Sequence, residues 1–490
     1  MYPWKSVLSV ENNPKRPKYL QIADQVIKEI TSGRLHPAQK VPGSRKMAEL
    51  LGLNRKTVIQ AYEELMAQGW LEIRSSSGTY ISEKLPLPSY IRLKGQPTRE
   101  EAKHKIFLNT FSHIDGYSAA PKNGLVVDGG SPDHRLAPLD WIFKECRALA
   151  KSRYHHRLLT YSDVRGEPVL RATLARYLSE SRGMHVTKSH ILITRGSQMG
   201  IFLALKGLIR TGDAVVVGDS SYDAADWAVQ YHEGQLHRVT VDDMGLDTGE
   251  LEKLCQNVPV KLVYITPHHH FPTTVTLSND RRIHLLELAF RHNFTILEDD
   301  YDYDFHYSSS PLLPLASLDH RGHVVYIGSF SKIFAPNIRV GYLVGSPEMV
   351  EELSKVRRII DRQGDHLVER VIAEAIVSRE LGRHLKKSVT CYHHRRDHLA
   401  GLLTHHLGNH LSFKVPEGGM AIWTRFNRIP LLALKPGIHK KNLYLDIDRD
   451  LARKFNAVRL GFASLNDTEQ QEVVGKLKEV VEEFIATNYS

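Results

Sequence analysis

Ser329, Ser331 and Lys332 stand together, followed by Arg339 and Gly341. The run before them, residues 323–328, is brief, β-branched and bounded by glycine, which reads as a buried strand. A lysine amine at a strand end can form a Schiff base with an aldehyde. Two serines and an arginine can hold a phosphate beside it. Pyridoxal phosphate asks for that combination. By itself, Ser-x-Ser-Lys is read more plainly as a solvated loop, so the reading turns on what accompanies it.

Other apolar runs at 191–194, 214–217, 262–265, 295–297 and 324–327 alternate with amphipathic helices. That alternation predicts an α/β domain over 123–490, a mostly parallel sheet covered by helices on both faces. Ligands of such sheets gather at the carboxyl ends of the strands. After the first run come Gly196, Ser197 and Gln198, opening a helix over 199–208, a place where backbone N–H groups and a hydroxyl meet a phosphate. After the fourth come Asp299 and Tyr301, a carboxylate for a pyridine nitrogen and a phenol for a ring hydroxyl. Asp300 with Tyr303 is the alternative register; Asp299 is preferred because it is placed directly after the strand. His268, His269 and His270 follow the third run. Consecutive side chains diverge and no carboxylate or cysteine stands at ligand spacing, so no metal is expected.

The first 83 residues are organised differently. Apolar positions 19, 22, 23, 26, 27 and 30 define one helix, stopped at Gly33. Ser44 is read as the N-cap of a second, short helix running through Leu51, and Asn54 as the cap of a third, over 55–68. Two strand-like pieces, 71–74 and 79–82, flank a Ser-Ser-Ser-Gly tip. Three helices and a hairpin make a winged helix-turn-helix. The third helix presents Arg55, Lys56 and Thr57 in its first turn, where a recognition helix meets DNA, and Arg74 suits a wing along the backbone. Residues 84–122 show no sustained period and mix prolines with charges, which predicts a tether. Lys103, His104 and Lys105 read as a solvated charge run, and Ile106, Phe107 and Leu108 as a segment able to dock.

The chain has 490 residues and a formal charge of +10, which permits a nucleic-acid partner without requiring one. Neither a membrane-length apolar run nor a signal-peptide core is found. Cys146, Cys255 and Cys391 are too scattered for a disulfide framework, so a reducing cytoplasm is expected.

Residues 41–79, with Val41-Pro42, Ser44-Arg45, Leu51-Gly52, Arg55, Thr57-Val58, Ala61-Tyr62 and Gly78-Thr79, resemble the GntR-type winged helix. The resemblance implies DNA contacts at Arg45, Arg55, Thr57 and Gly78. Residues 123–490 resemble fold type I pyridoxal-phosphate enzymes, the aminotransferase superfamily. It implies pyridoxal 5'-phosphate on Lys332, held by Gly196, Ser197, Gln198, Asp299, Tyr301, Ser329, Ser331 and Arg339. Tyr222 would face the ring, Tyr161 of the segment Tyr161-x-Asp163-x-x-Gly166-x-x-x-Leu170-Arg171 would reach the neighbouring subunit's phosphate, and Arg459 would grip an effector carboxylate. In this order the parts are similar to the MocR/GabR group of bacterial transcription regulators. That implies a homodimer with exchanged winged helices, an operator partner, and an amino acid, a related amine or the cofactor itself as signal. A working aminotransferase with an appended DNA-binding domain is the second reading, and an empty dimerisation scaffold the third. The chain departs from the group at His270, at Thr274, where glycine is usual, and at Asn337. Residues 220–224 lack the arginine that relatives sensing γ-aminobutyrate carry, which favours an α-amino acid effector.

Overall fold

The computed structural model describes residues 2–11, 16–75, 77–86, 110–111, 114, 124–153, 155–307 and 312–488. The chain divides into two compact units, Met1–Thr110 and Phe111–Ser490. Most of the expected tether, including Lys103 to Leu108, lies outside the described residues.

In the first unit, helix Lys18–Thr31 buries Ile22, Ala23, Val26 and Ile30, the face its spacing predicts. Its C-cap is Ser32, and Gly33 follows in the left-handed region at φ 72°. Ser44 corrects the expectation: it is the first residue of helix Ser44–Leu51, the N-cap is Gly43, and no side chain caps the end. Asn54 does cap helix Arg55–Ala67, accepting a hydrogen bond from the Lys56 N–H at 2.9 Å. Strands Leu71–Arg74 and Gly78–Ile81 pair antiparallel, Arg74 opposite Gly78. The core of this unit extends beyond what the sequence predicts. Trp4 and Leu8, from an N-terminal stretch with no assigned role, are buried with Val26, Val58 and Leu65.

The second unit is built on a seven-stranded sheet. In spatial order its strands are Ile191–Thr194, Gly341–Val344, Val324–Ser329, Thr295–Asp300, Val260–Ile265, Ala214–Gly218 and Gln235–Val239. All run parallel except Gly341–Val344, which is antiparallel to both neighbours. Alternate side chains leave opposite faces of a strand. Leu297 and Val325 accordingly join one apolar cluster with Ile201 and Leu205 of helix Ser197–Leu208. Ile296 and Val324 join another with Leu285 and Leu288 of helix Asn279–His292. A smaller antiparallel sheet, Leu411–Phe413, Ala421–Phe426 and Ala457–Gly461, sets Arg459 opposite Trp423. Strand Leu125–Val127 pairs with Leu443–Leu445 and feeds the turn at Asp128.

Two strands run further than their apolar residues indicate. Glu298, Asp299 and Asp300 belong to the strand Thr295–Asp300, and Ser329 to Val324–Ser329. The expectation that the carboxylates follow the strand is therefore corrected. They lie within it, with successive side chains on opposite faces.

Gly166, in the segment after Tyr161, has φ 117°, and a Cβ there would lie 2.3 Å from Ile193 Cγ1. Gly166→Ala combines a left-handed backbone with overpacking. Chemical denaturation should show a loss of about 2–4 kcal/mol; an unchanged midpoint would contradict this packing.

Candidate functional site

Lys332 lies three residues beyond strand Val324–Ser329, and its Nζ donates to the Gly130 carbonyl at 2.6 Å. Burial holds its pKa below the usual lysine range, with Arg459 adding to the effect and Asp128 opposing it. A lowered pKa favours the neutral amine, the nucleophilic form. The segment 128–131 that receives it is a part of the site the sequence did not single out. Asp128 Oδ1 accepts from the N–H groups of Gly130 and Ser131 at 2.8 and 2.7 Å, fixing the turn that presents the Gly130 carbonyl.

Asp299 is 2% exposed. Its Oδ2 accepts from the Tyr264 hydroxyl at 2.9 Å, whereas Oδ1 is buried without a partner. Burial pushes this carboxyl up to about 7, with Asp300 and Asp302 adding to the rise and the Tyr264 hydrogen bond opposing it. Asp300 points the other way. It accepts from the Tyr326 hydroxyl at 2.8 Å and lies 3.1 Å from His268 Nδ1. Burial would raise its pKa, but His268, Arg182 and the Tyr326 hydroxyl together hold it low. Tyr303 goes with it, edge-on to His268 and under the Arg182 guanidinium. The two registers left open by the sequence thus occupy opposite sides of the sheet, and Asp299 with Tyr301 is the pair electrostatically linked to Tyr222 and Arg459.

The Arg339 guanidinium lies over Gly196 so closely that a Cβ there would meet Nη2 at 2.8 Å, and Nη2 donates to the Arg195 carbonyl at 2.7 Å. Gly196 is the N-cap of helix Ser197–Leu208 with φ 78°, and no side chain caps that end. Ser331 donates its N–H to Ser329 Oγ at 3.2 Å, and its own Oγ is buried without a partner. Gln198 Nε2 donates to the Tyr222 hydroxyl at 2.9 Å, and the Tyr222 ring meets Phe271 edge-on at 5.4 Å. Arg459 donates from Nε to the Gly129 carbonyl at 2.8 Å and from Nη1 to the Pro272 carbonyl at 3.1 Å, above the Phe271 ring. Tyr301 donates to the His269 carbonyl at 3.0 Å.

Tyr161 stands apart. Its ring is 75% exposed beneath the Arg362 guanidinium at 3.9 Å. Asp163 and Arg171 of the same segment bond each other at 2.9 Å, and Arg171 also donates to the Ile191 and Lys188 carbonyls. Those conspicuous residues brace the segment itself.

The three histidines diverge. His268 goes to Asp300, His269 Nδ1 to Asp302 at 2.7 Å, and His270 Nδ1 to Thr273 Oγ1 at 2.8 Å. Burial drives the His270 pKa down to about 4, so its ring is neutral at ordinary pH.

In the first unit Arg45, Arg55, Lys56 and Gly78 are exposed and Thr57 is half-buried. Arg74 is engaged rather than free: its guanidinium bonds Glu72 and Glu83 at 2.8 and 2.7 Å and stacks 4.7 Å from the Tyr80 ring centre.

Residues 134–477 match the family model for aminotransferase class I and II, and residues 18–81 the model for bacterial regulatory proteins of the gntR family. The chain belongs to the aminotransferase class I and II family and carries a GntR-type winged helix-turn-helix ahead of that domain. It is 28% identical to the probable rhizopine catabolism regulatory protein MocR of Rhizobium meliloti, over 86% of this chain and 84% of that one. To YdfD, an uncharacterized HTH-type transcriptional regulator of Bacillus subtilis, it is 27% identical over 96% and 97%. Among solved structures, the kynurenine aminotransferase of Pyrococcus horikoshii matches 74% of this chain and 91% of its own, with a TM-score of 0.68 and 29% identity.

The cofactor this family implies is pyridoxal 5'-phosphate, and the residues present fit it. Asp299 Oδ1 and Ser331 Oγ are buried polar atoms without partners. The cleft between Arg339 and Gly196 leaves no room for a side chain, and the half-buried Lys332 has an amine less basic than usual.

Two outcomes follow from this geometry. Asp299 is protonated more readily folded than unfolded, since its folded value near 7 exceeds the unfolded carboxyl value of about 4. Its contribution to stability is therefore fully present below about pH 4 and lost as pH rises through about 7, an effect of up to about 4 kcal/mol. In cofactor-free protein, Asp299→Asn should flatten the fall in Tm between about pH 4 and 7; an unaltered profile would assign the dependence elsewhere. Thr274, a β-branched residue at φ 64°, carries backbone strain that glycine relieves. Thr274→Gly should raise stability by about 1 kcal/mol in denaturant melts, and a destabilised variant would show that the threonine side chain outweighs its backbone.

Proposed function

We propose that this protein is a pyridoxal-phosphate-dependent transcription regulator, whose aminotransferase-like domain senses a small amino acid or related amine and whose winged helix binds double-stranded DNA. The observation that carries the reading is that one chain holds both a GntR-type winged helix and a full set of cofactor-binding groups, with Lys332, Asp299 and Arg339 intact. A scaffold has no use for an amine of lowered basicity or for a buried carboxyl with one oxygen unpartnered.

When bound, the cofactor supplies an electrophilic aldehyde that captures amines and a ring that draws in electron density. The chain's own groups set the terms of that chemistry. Lys332 offers the amine that an incoming amino group displaces. Asp299 Oδ1 holds a proton on the ring nitrogen, Tyr301 and Tyr222 address the ring, and Ser329, Ser331, Arg339 and the start of helix Ser197–Leu208 receive the phosphate. Arg459, steadied by two carbonyls over an aromatic ring, presents the rest of its planar fork to an α-carboxylate. The uncharged His270 leaves that guanidinium as the cation addressed to the ligand.

A ligand that binds one arrangement of the protein better shifts the population toward it, which is how a metabolite-sized site governs a DNA-binding module. The functional unit is a homodimer in the cytoplasm, in which Tyr161 completes the partner's phosphate site. MocR of Rhizobium meliloti is a probable regulatory protein of rhizopine catabolism; the effector here is read from Arg459 as an α-amino acid or close analogue.

Absorbance spectra of purified wild type and Lys332→Ala test the anchor: a visible band in the first and none in the second is expected. Titration with α-amino acids should then shift the wild-type band, and a spectrum indifferent to all of them would remove the effector reading. Release of keto acid at an ordinary turnover of about 1–10 per second would instead establish a working aminotransferase.

A further inference from the structure

The stretch before the first long helix is built into the DNA-binding unit. Trp4 is 6% and Leu8 3% exposed, in a core with Val26, Val58 and Leu65. Two glutamines of helix Lys18–Thr31 grip its backbone in pairs. Gln25 accepts from Ser9 N–H at 2.8 Å and returns a bond to the Ser9 carbonyl; Gln21 does the same for Glu11 at 3.0 and 3.1 Å. The Tyr2 hydroxyl donates to Glu29, itself paired with Arg34. These bonds fix the stretch to helix Lys18–Thr31, and a groove of about 1130 Å³ lies between helix Trp4–Val7 and the segment before Ser44–Leu51.

Among the described residues, the charged ones lining that groove are Lys5, Lys40 and Lys46, with no aspartate or glutamate. All three lysines are exposed. Lys40 extends beside the wing: its backbone bridges to Tyr80, its Nζ lies 5.7 Å from the Tyr80 ring centre, and its Cε is 3.1 Å from where a Gly78 Cβ would be. Lys46 follows Arg45 in the first turn of its helix and meets Glu49 in an exposed pair, of the kind that contributes little. A cationic groove with one end at the wing and the other at the N-terminal segment matches a phosphate backbone.

We infer that the N-terminal segment and this groove form a second phosphate-binding track, in which Lys5 and Lys40 neutralise backbone phosphates beyond the recognition helix and wing. The inference rests on the DNA-binding reading above and adds an element outside the matched residues 18–81. Each phosphate neutralised adds about 0.9 to the slope of log affinity against log salt. The test uses the full-length protein, a labelled duplex of about 30 base pairs of arbitrary sequence, and anisotropy at several salt concentrations. Lys5→Gln and Lys40→Gln should each lower the slope by about 0.9 and the double variant by about 1.8, with Lys40→Arg restoring the wild-type slope. A steep wild-type slope that the double variant retains would overturn the track alone. Wild type without salt-dependent binding would remove the DNA-binding reading as well. Weaker binding at an unchanged slope, or a variant with a lowered melting temperature that Lys40→Arg fails to restore, would mark the lysines as structural and overturn it too.

Discussion

Asp299 is a carboxylate buried among acids with a phenol for company. Asp300 and Asp302 lie close enough to raise its proton affinity, and Tyr264 supplies its hydrogen bond. An isolated buried charge costs several kcal/mol unless it is paired or neutralised. The sheet accepts that cost because neighbouring strands disperse the surrounding charge. Asp300 is claimed by His268 and Tyr326 on the opposite face, Asp302 by His269, and Glu298 by the N–H groups of Leu315 and Ala316. One oxygen of Asp299 is left buried without a partner. A protonated ring nitrogen satisfies it, and a neutral apolar ligand does not.

The other half of the arrangement depends on backbones approaching closely. Arg339 can cover Gly196 because no Cβ intervenes, and Gly341 lies so near Gly196 that a Cβ there would meet its carbonyl carbon at 2.8 Å. The antiparallel strand Gly341–Val344, inserted between Ile191–Thr194 and Val324–Ser329, produces this contact by pairing Gly341 with both Thr194 and Ser329. The reversed strand therefore brings Arg339, the start of helix Ser197–Leu208 and the strand end that precedes Lys332 close together.

This division explains what was legible in the sequence. Strand ends are marked by short β-branched runs, so the sequence points to Gly196, Asp299 and Lys332 as residues that follow such runs. The full extent of the strands is not marked, because Glu298 to Asp300 and Ser329 are polar residues held in strand geometry by their neighbours. Helix boundaries with side-chain caps were readable, as at Asn54; Ser44 was misassigned because the helix starts one residue earlier, on a glycine backbone. Asp128 to Gly130 carried no signal, since a turn that presents a carbonyl to a lysine is defined by tertiary contact. Nor did the sequence distinguish the bracing residues Asp163 and Arg171 from Tyr161, which lies exposed in the same motif. Their types look equally chemical, and only hydrogen-bond partners separate them.

The wing shows the same limit in its charges. Arg74 reads as a free cation, yet it is committed to two carboxylates over the Tyr80 ring. A phosphate must displace Glu72 and Glu83 to engage it, whereas Lys40, over the same ring, pairs with no carboxylate among the described residues. Exposed pairs of the Arg74 kind contribute up to about 1 kcal/mol, so the displacement is feasible but dilutes what the contact adds. The positive edge beside the wing is thus set by a lysine that precedes the second helix in sequence and lies beside the hairpin in space. It is held there by backbone pairing between residues 38–41 and the wing strand.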